Sequence, residues 1–180
     1  MRVLLDTCVL IPSPIRSILL QLAQKKLFFP LWSDKIIEEW VYFGSKNTSA
    51  LADRIRIEIL LMKAEWNESL VICDPILTDK LYLPDENDRH VLASAITGKA
   101  QVLLTNNLKD FPSRTLITYG IIPQSADSFL LELFNKYPKT VELVIQNVFE
   151  LSKNNNFHGH SKRSFLKKYK LPRLAKKTIA

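Results

Sequence analysis

Two short runs, RVLLD at residues 2–6 and QVLLT at 101–105, constrain the fold more than any other feature of the chain. Each is continuously apolar for several residues and then stops at a polar side chain. Continuous rather than alternating hydrophobicity marks a strand buried on both faces, and such strands belong to parallel sheets covered by helices. Between the two runs the apolar period changes. Ile15, Ile18, Leu19 and Leu22 recur at helical spacing after Ser13-Pro14, a pair suited to open a helix with Ser as its cap. Ser33 caps a second helix bearing Ile36, Ile37, Trp40 and Val41. A third, over about Ser49–Trp66, carries Ile55, Ile59 and Met62 on one face.

The remaining elements follow the same reasoning. LFFP (27–30) reads as a short strand or connector and LVICD (70–74) as a strand. Asn87–Thr97 reads as a helix closed by Gly98 at C′. TLITYGI (115–121) reads as a further strand. Ser125 caps a helix to about Phe134, and Pro138 opens another to about Leu151. SKNNNFHGHSKRS (152–164) is a polar linker, and Ser164–Ala180 reads as a basic helix. Strands alternating with helices imply an α/β fold with a mainly parallel sheet and helices on both faces.

The 180 residues suit one domain of ordinary size, and 47% apolar residues with only 4 Gly fit a packed core. No apolar run approaches the roughly 18 residues that span a bilayer, and the amino-terminal run, broken by Asp6 and Pro12, reads as a strand rather than a signal peptide. Cys8 and Cys73 have neither metal-ligand spacing nor a disulfide framework, so the expectation is a reduced, cytoplasmic protein with thiols in its core. The formal net charge of +7 is uneven: residues 1–150 hold 16 Lys/Arg against 18 Asp/Glu, and residues 151–180 hold 9 Lys/Arg and no acid. Such a basic block either gathers phosphates or simply keeps the chain solvated.

Three acids stand where acids are costly. Asp6 ends the first strand, at the edge where α/β folds build their sites. Thr7 is placed to hydrogen-bond its carboxylate; a plain turn cap is the alternative. Asp88 shares the direction of Val91, Leu92 and Ala95 on a helical wheel, whereas Arg89 and His90 point elsewhere. An acid facing a core is expensive unless something offsets it, such as a helix N-terminus or a cation. On the second helix Glu39 lies nearer the apolar stripe than Glu38, although the pattern alone reads either one as a solvated helix acid. A set of carboxylates without His or Cys suits hard ions such as Mg²⁺ or Mn²⁺ rather than zinc. His90 reads as a surface residue, and His158 and His160 flank a linker glycine. There is no G-x-S-x-G elbow and no Gly-rich phosphate loop.

RVLLDTCVLIPSP, WSDKIIEEW, LPDENDRHVLASAI and LLTNNLKDFP, in that order over about residues 1–125, resemble the PIN-domain family, in particular bacterial PIN proteins of the VapC type, the toxin subunits of toxin–antitoxin pairs. The later helices resemble those of a long bacterial subgroup. The resemblance implies a three-layer α/β/α sandwich with a PIN-like nuclease domain at 1–137 and a helical, basic extension at 138–180. It implies a metal-dependent endoribonuclease that gathers one or two Mg²⁺ or Mn²⁺ ions, with RNA as substrate, an antitoxin partner and a homodimeric state. By match to the family motifs Asp6, Glu39 and Asp88 are the first three acids. The fourth position is Asn107, an amide, and Asp110 three residues on is the candidate substitute. The expected catalytic and metal-holding set is therefore Asp6, Glu39, Asp88 and Asp110, supported by Thr7, Thr105 and Asn107. Arg89, Lys109, Lys162, Arg163, Lys167 and Lys168 are candidate RNA contacts. The apolar tail positions Phe165, Leu166, Tyr169 and Leu171 pack either on a partner or on the chain's own core. Asn107 leaves open a rival reading, a PIN-like RNA-binding protein with little or no cleavage. A haloacid-dehalogenase-like phosphatase needs a second Asp two residues after the first, where this chain has Cys8.

Overall fold

The computed structural model describes residues 1–154 and 161–178. In chain order the elements are β1 (Arg2–Leu5), α1 (Thr7–Leu10), α2 (Ser13–Gln24), β2 (Phe29–Ser33), α3 (Asp34–Asn47), α4 (Ser49–Glu65), β3 (Leu70–Val71) and α5 (Pro75–Lys80). A 3₁₀ turn (Glu86–Asp88) leads into α6 (Arg89–Thr97), followed by β4 (Val102–Leu104), α7 (Ser113–Ile117), β5 (Ile122–Gln124), α8 (Ala126–Lys136), α9 (Pro138–Asn154), α10 (Lys162–Lys168) and α11 (Pro172–Ala175).

The five strands form one parallel sheet in the order β3-β2-β1-β4-β5. Leu4 sits between Leu31 and Leu103, so the two apolar runs are neighbours at the sheet centre. Val3, Leu4 and Leu5 are fully buried, as continuous hydrophobicity requires. Helices flank the sheet: α6 lies against β1, β2 and β4, and α2 lies against β2 with α9 packed outside it. Arg16, buried on α2, stacks 4.3 Å over the Trp40 ring, donates to the Leu10 carbonyl and pairs with Glu58, tying α2 to α3 and α4. The core runs without a break across residue 137, from Val3 to Val144, Phe165 and Leu174.

Several local expectations differ. TLITYGI is not a strand. Its β-branched residues have strand propensity, but 113–117 winds into α7 to bury Leu116, Gly120 turns the chain at φ 70°, and only then does β5 begin. The basic tail is two short helices, because Pro172 cannot continue a helix and Lys170 reverses the chain at φ 60°. LVICD contributes only Leu70–Val71 as strand. Ser13 is inside α2, whose cap position is Pro12, with no side-chain cap bond.

Gly98 ends α6 in right-handed conformation, φ −73°, and Lys99 takes the left-handed turn at φ 51°. Gly98 is needed for space instead: a Cβ there would lie 2.9 Å from both Leu31 Cδ1 and Val71 Cγ2. Phe165, Leu166, Leu171 and Leu174 pack into the chain's own core, and Tyr169 is half-buried beside Phe165. His158, His160 and the middle of the expected linker lie outside the described residues.

Candidate active site

The carboxyl ends of β1 and β4 carry the site. Asp6 follows β1 directly, and its N–H donates to the Leu104 carbonyl, extending the ladder by one bond. It is the cap residue of α1 yet makes no side-chain cap bond, so its carboxylate turns to the site. Thr105, immediately after β4, donates to Asp6 Oδ2 at 2.7 Å, and Cys8 Sγ lies 3.1 Å from the same oxygen. Burial and then the Asp6 charge push the Cys8 thiol up to about 12. Cys8 therefore stays a protonated donor to Asp6 and is not a thiolate nucleophile. It is half-buried at the site rather than part of the core.

Thr7 does not serve Asp6. Its hydroxyl donates to Glu39 Oε2 at 2.5 Å, because the turn of α1 carries it toward α3. The other Glu39 oxygen lies 2.7 Å from His90 Nε2. A carboxylate only accepts, so His90 carries its proton on Nε2. Burial alone would raise the Glu39 carboxyl, but the bonds from His90 and Thr7 outweigh it and hold Glu39 below its usual range. His90 is 5% exposed and not a surface residue; its Nδ1 has no partner among the described residues. No local sequence signal marks it, because the partner of its side chain, Glu39, lies 51 residues away on α3. A cleft of about 390 Å³ opens on another flank of His90, lined by Ser33, Cys73, Thr78 and Ser94, and holds none of the four expected acids.

Asp88 enters from the 3₁₀ turn rather than from within a helix. Burial first, and then the charges of Asp6, Asp85, Asp110 and Glu39, push its carboxyl up to about 6. Asn107 Nδ2 is 3.4 Å from Asp88 Oδ2, and the Asn107 N–H donates to Thr105 Oγ1 at 3.0 Å. The turn Asn107–Asp110, closed by the Asp110 N–H on the Asn107 carbonyl and anchored by fully buried Phe111, brings the Asp110 carboxylate back to Asp88. Asp85, Asp88 and Asp110 each present an oxygen, all within 4.8 Å of one another. Asp85 was missed by the sequence reading: it caps the 3₁₀ turn by accepting from the Asn87 N–H at 2.9 Å, a role that looks purely local.

Acids gathered this closely with so little internal counter-charge fit a hard cation. Among the described residues, Lys109 at 3.8 Å from Asp110 is the ion-pair partner of this group, and its side chain is 82% exposed. Arg89 turns to Glu86 at 2.5 Å, and Lys162 pairs with Glu142 on α9.

This arrangement of sheet and acids agrees with the family comparison, in which a PIN domain model matches residues 2–109. The chain belongs to the PIN-domain family. One similar protein is "Putative ribonuclease VapC50" of Mycobacterium tuberculosis, 38% identical over 74 residues. The matched stretch covers 41% of this PIN-domain chain and 44% of that protein, so the likeness spans less than half of either. No solved structure gives a significant match. No helix among the described residues is long and apolar enough to cross a membrane.

Proposed function

We propose that this PIN-domain chain is an Mg²⁺- or Mn²⁺-dependent endoribonuclease that hydrolyses RNA phosphodiester bonds. The observation that carries the reading is the gathering of Asp85, Asp88 and Asp110, whose oxygens lie within 4.8 Å of one another. Burial and the neighbouring carboxylates raise the proton affinity of Asp88, and a bound divalent cation is what relieves such a cluster. Asp6, Glu39, Asp88 and Asp110 would hold the ion or ions, with Asp85 beside Asp88 and Asp110, and Asp110 would supply the acid that position 107 lacks. A divalent ion in that nest supplies Lewis-acid stabilisation of charge on the scissile phosphate and eases deprotonation of water. The chain's own work is orientation. Thr105 and Cys8 aim Asp6, Thr7 and His90 aim Glu39, and Asn107 braces Asp88. Lys109, exposed beside Asp110, is suited to meet a substrate phosphate.

RNA as substrate is supported by family membership and by the ribonuclease name of the similar mycobacterial protein. We further propose, as the resemblance to VapC-type proteins implies, a role as the toxin of a type II toxin–antitoxin pair, cytoplasmic, homodimeric and restrained by an antitoxin. The purified chain should cleave structured RNA with Mn²⁺ or Mg²⁺ and not with EDTA, and the Asp6→Asn/Asp88→Asn double variant should not cleave. Absence of wild-type cleavage, or its survival in the double variant, overturns the nuclease reading. The first outcome would favour the second reading, an RNA-binding PIN protein that cleaves weakly or not at all, which Asn107 in the fourth acid position supports.

A further inference from the structure

Resting on the nuclease reading, we infer that residues 161–178 form a folded docking surface for the phosphate backbone of the RNA substrate, beside the acid site. The segment is basic without relief: residues 151–180 hold 9 Lys/Arg and no acid. It is also fixed in place. Buried Phe165, Leu166, Leu171 and Leu174 pin its inner face, and Ser161 and Ser164 cap α10 reciprocally. Asp127, 7% exposed on α8, accepts the backbone N–H groups of both Arg173 and Leu174 at 3.0 Å, and the Arg173 guanidinium donates to Ser128 at 2.8 Å. With most of its apolar residues inside, the outer face of the segment is dominated by cations. Arg163, Lys167, Lys170, Lys176 and Lys177 are exposed, and none has an ion-pair partner among the described residues.

The anchor sets where this face lies. Asp127 and Ser128 are in the first turn of α8, directly after β5, and the Thr105 N–H donates to the Gln124 carbonyl at the end of β5. The clamp on α11 is therefore at the same sheet edge as Thr105 and Asp6. β5 is two strand spacings, roughly 10 Å, from β1. A cationic face anchored at that sheet edge suits a polyanion that continues from the scissile phosphate. Lys162, paired with Glu142, is not part of the face.

The test is binding of a fluorescein-labelled 20-nucleotide single-stranded RNA to the full chain in EDTA, followed by anisotropy across a KCl series. Lys167→Gln/Lys170→Gln/Lys176→Gln should weaken binding about tenfold near 150 mM KCl and flatten the log–log salt slope by about 2, at ~0.7 for each phosphate no longer neutralised. Lys25→Gln/Lys26→Gln/Lys99→Gln, with the same charge loss in turns leading into β2 and β4 at the opposite sheet edge, should leave the slope near wild type. An unchanged slope in the first triple, an equal loss in both, or binding to phosphatidylglycerol vesicles in preference to RNA overturns the proposal. Wild-type RNA binding of this pattern without any metal-dependent cleavage would remove the nuclease reading and leave the docking surface standing.

Discussion

His90 Nε2 lies 2.7 Å from Glu39 Oε1, and Thr7 Oγ1 holds the other carboxylate oxygen at 2.5 Å. Glu39 is thus gripped at both oxygens by two other elements, so its direction toward the acid site is set before any ion or substrate arrives. His90→Ala should lower the Mn²⁺ affinity and the cleavage rate about tenfold each, the usual cost of losing a group that orients a ligand. His90→Gln, whose amide reaches the Nε2 position as a donor, should restore much of both. Calorimetric Mn²⁺ titration of the two variants checks this; an equal loss in both would mean that His90 only fills space.

Asp88 carries a stability cost. Its folded carboxyl sits near 6 against an ordinary value of 3.8, so the folded chain binds that proton more tightly than the unfolded chain. The ionised form is then destabilising above about pH 6, and the cost is relieved as pH falls through 6 toward 4. After discounting for the solvent screening of a half-exposed site, the cost is about 1 kcal/mol. Asp88→Asn should raise the melting temperature in EDTA at pH 7.5 by about 2–4 °C, and the gain should shrink at pH 5. With Mn²⁺ present the order should reverse, because the variant binds the ion poorly. Melting curves at two pH values with and without metal test all three signs.

Cys8 should resist alkylation. A thiol held near 12 and donating to Asp6 offers almost no thiolate at pH 8. Peptide mapping after brief iodoacetamide treatment of the folded chain should find Cys8 unmodified. Rapid labelling of Cys8 under these conditions would contradict the hydrogen-bond arrangement around Asp6.

Gly98→Ala tests the packing of α6 on the sheet. The backbone there is ordinary right-handed, so strain in φ is not at issue. The added methyl would meet Leu31, Val71 and the Ser94 carbonyl at 2.9–3.0 Å and should cost about 1–3 kcal/mol by overpacking. Chemical denaturation measures it; a variant as stable as wild type would mean that the two side chains yield freely.

The buried strands were legible because RVLL and VLL have no alternation to permit a solvent face, and they emerge side by side at the sheet centre. Asp6 and Asp88 stood out in the sequence as charges in an apolar setting, whereas Glu39 stood out only through its match to the family motif. Less legible was anything fixed by tertiary contact. TLITYGI has strand-forming residues, yet the burial of Leu116 decided for a helical turn. His90 points away from Val91, Leu92 and Ala95 on a wheel and so looked exposed, but α6 is buried on nearly every side, from His90 through Ala95, and the partner Glu39 is 51 residues away. The return of Asp110 to Asp88 depends on one turn bond and on Phe111, and neither leaves a periodic trace.

The central claim is that these acids form a divalent-cation site whose fourth carboxylate is Asp110 and not the residue at position 107. Calorimetric titration of Mn²⁺ into wild type, Asp110→Asn and Asn107→Ala tests it most directly. Wild type should bind Mn²⁺, Asp110→Asn should lose about tenfold or more in affinity, and Asn107→Ala should change less, since a carboxylate oxygen binds a hard ion better than an amide. Wild type that binds no Mn²⁺, or Asp110→Asn that binds it as tightly as wild type, would contradict the account.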